Sequence, residues 1–286
     1  MIWLDSLSLD DANAVRALVD SAAFADQGES IDAQALRSLT ASDSAARHLL
    51  HREDGRIVGY ANLFGAHVDH PAMAEVVVLP EARGRGIGTA LVQAALGQGA
   101  HVWAHGDLPA AGAIARKLGL SPARELLQLR RDLSDLPELQ VPQGISIRSY
   151  AGPDDDAELV RVNNAAFVGH PEQGGWTVRD IEQRCAEDWF DPAGLLIATD
   201  ATGAVRGFHW TKTHTPDLGE VYVVGIDPDA QGGGLGRTLT LAGLRYLRDR
   251  GHGTVMLYTE ADNVKAVRTY SGLGFQRYHS DVAYSR

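Results

Sequence analysis

Two glycine-rich runs carry residue types suited to holding an anion. Gln231, Gly232, Gly233, Gly234, Leu235 and Gly236 are followed by Arg237, and Arg83, Gly84, Arg85, Gly86, Ile87 and Gly88 form a second run of the same shape. Glycines at this spacing let the backbone approach a pyrophosphate closely. A helix starting just after them offers unpaired N–H groups and the positive end of its dipole. One such turn also fits an ordinary tight connection between strand and helix. Neither run is a P-loop, because no Gly-Lys-Ser/Thr follows. Neither is a dinucleotide fingerprint, because a proline-containing turn separates the preceding strand from the glycines.

The elements that would position these turns are readable. A β-branched run ending near Pro80 precedes the first, and one ending near Pro228 precedes the second. After the second turn Leu235, Leu239, Ala242 and Tyr246 recur at helical spacing, and Gly251 stops the helix. Strands are predicted at 57–64, 74–79, 101–105 and 126–131, and again at 145–150, 195–199, 205–212, 220–226, 254–259 and 276–284. Strands alternating with helices imply an α/β (α+β) fold, with helices flanking a mixed sheet.

The chain also repeats itself. An acidic turn, an amphipathic helix and a closing Ala-Ala-Phe occur up to Phe24 and again up to Phe167. These blocks and the glycine turns recur in the same order roughly 145 residues apart. Two equivalent domains follow, expected at 1–134 and 145–286. The linker is expected at 134–144, a segment with two prolines and little apolar periodicity.

The 286 residues allow two domains of ordinary size. A formal net charge of −11 argues against a nucleic-acid or anionic-membrane partner. The single cysteine, Cys185, permits no intramolecular disulfide and no cysteine metal cluster. His101 and His105 lack a third ligand at zinc spacing, so no metal is expected. No apolar run reaches membrane-spanning length, and the first residues are acidic rather than signal-like, so a cytoplasmic location is expected. A self-contained two-domain chain is expected to be monomeric.

With the repeat and both turns in view, the sequence resembles the GNAT superfamily of N-acetyltransferases, once per half. That superfamily's acyl-CoA site is a Q/R-x-x-G-x-G/A turn after a strand, and both runs match it. The resemblance implies acetyl-CoA as co-substrate, with the turn on its pyrophosphate. The strand before the turn splays from its neighbour and pairs with the pantetheine arm. The matching residues are Val224, Gly225 and Ile226 in the second half and Val77, Val78 and Leu79 in the first. A second CoA-binding segment is matched by Asn263, Val264, Lys265, Ala266, Val267 and Arg268.

Acetyl transfer from a thioester to an amine requires a deprotonated amine, a stabilised carbonyl oxygen and, for the thiolate, a proton donor. The resemblance places Tyr270 at the acid that protonates the CoA sulfur. It places Glu220, which opens the splayed strand, at the base. The N–H near Val224 or Gly225 would polarise the carbonyl. Aligning the two halves sets Ala115 opposite Tyr270, Leu108 opposite Asn263 and Ala72 opposite Glu220, with Glu75 three positions out of step. The first half is therefore expected to be non-catalytic while keeping a CoA turn.

Several local strings resemble one tandem-domain branch of the superfamily. They are Trp103 to Asp107, His170 to Thr177, Trp189 to Gly194, Gly207 to Lys212 and Gly219 to Val224. The branch implies a small-molecule acceptor, the cysteinyl amine of cysteinyl-glucosaminyl-inositol. Its substrate contacts carry over to Glu172, Lys212, Glu220 and Tyr258. An acidic N-terminal residue contacts substrate as well; the loop from Gln27 to Asp32 departs from the branch's pattern, and Glu29 or Asp32 fills the role, with Asp32 the chosen candidate. Carboxylates suit a cationic acceptor, and Lys212 can donate to sugar or inositol hydroxyls. Trp176 and Trp189 fit a pocket wall or the core. Two other readings remain: a tandem acetyltransferase for another small amine or a peptide N-terminus, and a non-catalytic acetyl-CoA sensor.

Overall fold

The computed structural model describes residues 1–41, 45–66, 71–170 and 173–286. The chain divides into two compact units. Unit 1 holds residues 1–126 with 279–286, and unit 2 holds 127–278.

The elements run β1 (Trp3–Leu4), α1 (Leu9–Asp26), α2 (Ala33–Ser38), β2 (Ala46–Glu53), β3 (Arg56–Phe64), β4 (Met73–Val78), α3 (Ile87–Leu96), β5 (His101–Ala104), α4 (Pro109–Leu118) and β6 (Ser121–Asp132). They continue with β7 (Ser146–Ser149), α5 (Asp156–Ala166), α6 (Val178–Cys185), β8 (Leu195–Thr199), β9 (Val205–Thr213), β10 (Leu218–Ile226), α7 (Leu235–Asp249), β11 (Thr254–Glu260), α8 (Val264–Ser271) and β12 (Gln276–Ser285).

Each unit is the expected mixed sheet flanked by helices. In unit 1 the order is β1-β2-β3-β4-β5, followed by the end of β12. All pairs are antiparallel except β4 with β5. In unit 2 the order is β7-β8-β9-β10-β11, followed by the second half of β6, and β10 with β11 is the parallel pair. Two strands, β1 and β2, lie outside the sequence-based set. Along β2 the buried positions Ala46, His48 and Leu49 are interrupted by charged and polar residues, so its apolar alternation is weak.

The units differ from the expected division at both ends. Residues 279–286 belong to unit 1, where Val282, Ala283 and Tyr284 pair with Ala104, Trp103 and Val102. Residues 127–134 belong to unit 2, where Leu127, Leu129 and Leu133 join the core of α7 and β11. Prolines and polarity at 134–144 mark a loop, but burial of three leucines decides which core the strand before it completes.

The cores follow the periodicities. In unit 1, Val15, Leu18, Val19 and Ala22 form the apolar stripe of α1 and pack on β3, β4 and α3. Ser8 caps α1 by accepting from Asp11 N at 3.1 Å. In unit 2, Leu159 and Val162 of α5 pack with Trp176, Ile181, Phe208 and Trp210. Leu241, Leu244 and Leu247 of α7 pack with Val221, Val255, Leu257 and Phe275. Among the described residues no helix is long and apolar enough to cross a membrane.

Candidate active site

The glycine turn of unit 2 leads directly into α7. Gly234 is the N-cap residue at φ 83°, a left-handed conformation that disfavours any Cβ. Gln231 links the turn to α8: its Nε2 donates to Ile226 O at 3.4 Å, and its Oε1 accepts from Lys265 Nζ at 2.6 Å. Arg237 donates to Gly272 O at 2.8 Å. Asn263 is occupied in capping α8, accepting from Ala266 N at 3.1 Å. A separate cleft of about 460 Å³ touches the turn at Gly233 and Leu235 but includes neither Glu220 nor Tyr270.

The strand feeding this turn leaves its parallel neighbour early. Pairing of β10 with β11 runs from Leu218↔Thr254 to Glu220↔Met256, while β10 continues to Ile226, with a bulge between Val221 and Val223. Val224, Gly225 and Ile226 lie beyond that pairing. A Cβ on Gly225 would sit 2.5 Å from the Phe208 ring, so close packing accounts for this glycine.

Glu220 stands where the pairing ends. It is 7% exposed, and its Oε2 lies 2.6 Å from His214 Nε2. Opposite it on β9 is Lys212. The ammonium of Lys212 lies 5.0 Å from the Trp189 ring and 5.4 Å from the Tyr222 ring, a cation–π setting. Tyr222 also meets Arg184 Nε at 3.2 Å. Tyr258 on β11 is half-exposed, and its hydroxyl accepts from Gln128 Nε2 at 2.6 Å. Tyr270 on α8 packs edge-on against Phe275 at 5.7 Å, and burial pushes its phenol up to about 12. Glu172 lies outside the described residues.

His214, Tyr222 and Gln128 are additions that the sequence reading missed. Thr215-Pro-Asp217 signals the turn between β9 and β10, and His214 N donates to Leu218 O across it. That turn folds His214 back onto Glu220. Gln128 reaches Tyr258 only through the sheet, which no local pattern reveals.

Unit 1 repeats the turn but not the electrostatics. Gly86 caps α3 at φ 85°, and β4 pairs with β5 only from Met73↔His101 to Glu75↔Trp103 before running on to Val78. A cleft of about 460 Å³ is lined by Val77, Val78, Gly84, Gly86, His105 and Tyr284, among others. The two arginines of its glycine turn are already paired. Arg83 makes two bonds to Asp26 at 2.7 and 2.8 Å, and Arg85 meets Glu53 at 2.9 Å.

The acid expected to be missing from unit 1 is present. Glu75 is the third residue of β4, as Glu220 is of β10, and each closes its parallel pairing. Counting back from the glycines sets Ala72 opposite Glu220 because β10 has nine residues and β4 six. Glu75 is fully engaged: Oε1 meets His105 Nε2 at 2.5 Å and accepts from Asp32 N at 2.8 Å, while Oε2 accepts from Asn62 Nδ2 at 2.9 Å. Asp32 caps α2 through Ala35 N, and burial together with the Glu75 charge raises its carboxyl. Where the alignment sets Tyr270, α4 has buried Ala115.

The acetyltransferase (GNAT) family model matches residues 13–119 and again 159–275. The chain belongs to the GNAT acetyltransferase family. It is an acetyl-CoA-dependent N-acetyltransferase of two GNAT domains in tandem. Among curated relatives, a mycothiol acetyltransferase of Nocardia farcinica is 62% identical over 99% of this chain and 96% of its own. One of Rhodococcus jostii is 55% identical over 99% and 97%. The solved GCN5-related N-acetyltransferase of Sphaerobacter thermophilus shares the fold, with a TM-score of 0.76 at 22% identity over 99% of this chain and 94% of that one. In this GNAT chain, then, Glu220 has an oxygen with no hydrogen bond from a described residue, and Glu75 is bonded on both.

Proposed function

We propose that unit 2 transfers acetyl from acetyl-CoA to the cysteinyl amine of cysteinyl-glucosaminyl-inositol, giving mycothiol and CoA. The observation that carries the chemistry is Glu220: a buried carboxylate at the point where β10 leaves β11, with one oxygen on His214 and no other hydrogen bond from a described residue. The relatives' name supports the choice of acceptor.

In this reading the open oxygen of Glu220 takes a proton from the acceptor ammonium. The freed amine attacks the thioester carbon, and backbone N–H near Val224 or Gly225 stabilises the developing oxyanion. The C–S bond breaks, the thiolate takes the Tyr270 proton, and the second proton of the attacking nitrogen returns to the Tyr270 phenolate through solvent, leaving a neutral amide. A phenol pushed up to about 12 stays protonated at neutral pH, as an acid must. The turn from Gln231 to Arg237, with Val224 to Ile226 and the segment Asn263 to Arg268, holds CoA. Lys212, Tyr258 and Glu172 hold the acceptor. Unit 1 binds a second acetyl-CoA without turnover, because Glu75 has no open oxygen and Ala115 supplies no proton. The protein acts as a cytoplasmic monomer.

The test is CoA release with cysteinyl-glucosaminyl-inositol and with its cysteine-free precursor. Turnover of the first alone is expected; turnover of neither overturns the acceptor assignment. Titration of acetyl-CoA is expected to fill two sites per chain.

A further inference from the structure

Both units pair a buried glutamate with a histidine, and the two pairs differ in a way that bears on the reaction. The inference rests on the reading of Glu220 as base. In unit 1, His105 has carboxylates on both ring nitrogens: Glu75 Oε1 at 2.5 Å from Nε2 and Asp281 Oδ2 at 3.5 Å from Nδ1. Although burial opposes charging, these bonds and the two carboxylate charges push the ring up to about 10, so it is a fixed imidazolium. Glu75 is hydrogen-bonded on both oxygens.

In unit 2 the same pair is open. His214 Nε2 is 2.6 Å from Glu220 Oε2, but the ring is 30% exposed and Nδ1 meets no carboxylate among the described residues. The surrounding charged groups are engaged elsewhere. Lys212 lies over Trp189 and Tyr222, and Asp217 Oδ1 accepts from Gly253 N. His252 Nε2 lies 3.2 Å from Thr213 Oγ1. Imidazole is the side chain that ordinarily changes charge between pH 5 and 8. His105 is held by a carboxylate on each ring nitrogen, whereas His214 has one on Nε2 alone among the described residues.

We propose that His214 is a positioning residue for acetyl transfer, setting both the orientation and the basicity of Glu220. As neutral imidazole its Nε2–H donates to Oε2, which leaves Oε1 to take the amine proton. That proton later passes from Oε1 to water, while the C–N bond forms, the C–S bond breaks, the thiolate takes the Tyr270 proton and the remaining nitrogen proton restores the phenol through solvent. Were His214 an imidazolium, it would pair with the carboxylate 2.6 Å away and lower its basicity, because protonating Glu220 would then remove the cation's counter-charge.

The experiment measures kcat against pH from 5 to 9, at saturating acetyl-CoA and cysteinyl-glucosaminyl-inositol, for His214→Gln and His214→Ala. Glutamine keeps an N–H donor that does not titrate. The Ala variant is expected to lose kcat on the order of 10–100-fold at every pH, with KM for acetyl-CoA unchanged. The Gln variant is expected to recover at least about tenfold over Ala, with its acid limb moved down by roughly one to two pH units. An acid limb coincident with wild type, an alanine variant at wild-type kcat, or a folded glutamine variant as slow as alanine each overturns the proposal. Glu220→Gln run alongside separates the two readings: full activity there sinks the base itself, whereas loss there with an active His214→Ala sinks only the role of His214.

Discussion

At the scale of single residues, Tyr270 offers the cleanest test of the acid. Its ring packs on Phe275 within the α7 and β11 core, so phenylalanine preserves the contact and removes only the hydroxyl. Tyr270→Phe is expected to lower kcat by about a hundredfold, the usual worth of a positioned proton donor. KM for acetyl-CoA and the melting temperature should stay close to wild type, as CoA-release kinetics and thermal melts would report. Glu220 and Tyr270 are proposed from the family resemblance, and each lies a short distance from a glycine landmark that anchors the match. Glu75 was miscounted because strand length between landmarks is set by the sheet. His214 was silent because a histidine in a turn has no signature until the hairpin closes on its partner.

At the scale of elements, the glycine turn and the helix after it act together. Gly234 at φ 83° lets the chain enter α7 with its first N–H groups directed outward. Gly234→Ala is expected to cost about 1 kcal/mol of stability through the strained conformation. It should raise KM for acetyl-CoA on the order of tenfold by displacing donor groups, and initial rates at varied acetyl-CoA with a urea melt check both. Both turns, their helices and most strands were legible because glycine, proline and 3.6-residue periodicity are local signals. Strand β2 was not, since its burial comes from β1 and β3 on either side rather than from its own alternation.

At the scale of the whole molecule, two histidines, one partly and one fully buried, set opposite pH limits on stability. His105 is raised to about 10 by its two carboxylates, so its contribution is complete below about pH 6.5 and is lost as pH rises through 10. His209 is fully buried, with Nδ1 2.8 Å from Leu239 O, and burial lowers it to about 4. Its contribution is present above about pH 6.5 and is lost as pH falls through 4. Thermal melts across pH 4.5 to 10 are expected to peak near neutrality. His105→Gln should flatten the alkaline limb and His209→Asn the acid limb; unchanged limbs would refute these assignments.

The division of the chain gives a second test at this scale. A fragment of residues 145–286 lacks Leu127, Leu129 and Leu133 from the unit 2 core. It is expected to melt without a cooperative transition, whereas a fragment of residues 127–278 retains every segment of that unit. Circular dichroism melts of the two fragments distinguish them.

The sequence by itself determined the duplication, the mixed α/β architecture and both glycine turns. Each of these is written in spacing along the chain. Tertiary structure decided which core the strands at 127–132 and 279–285 complete, because their apolar faces suit any open sheet edge until burial selects one. It also decided why the two halves differ. Both have the glutamate and both have a histidine on it. Two further hydrogen bonds on the glutamate and a second carboxylate on the histidine close the pair in the first half, and their absence among the described residues leaves the pair open in the second. Hydrogen-bond occupancy depends on residues far apart in the chain, and only the folded arrangement brings them within reach.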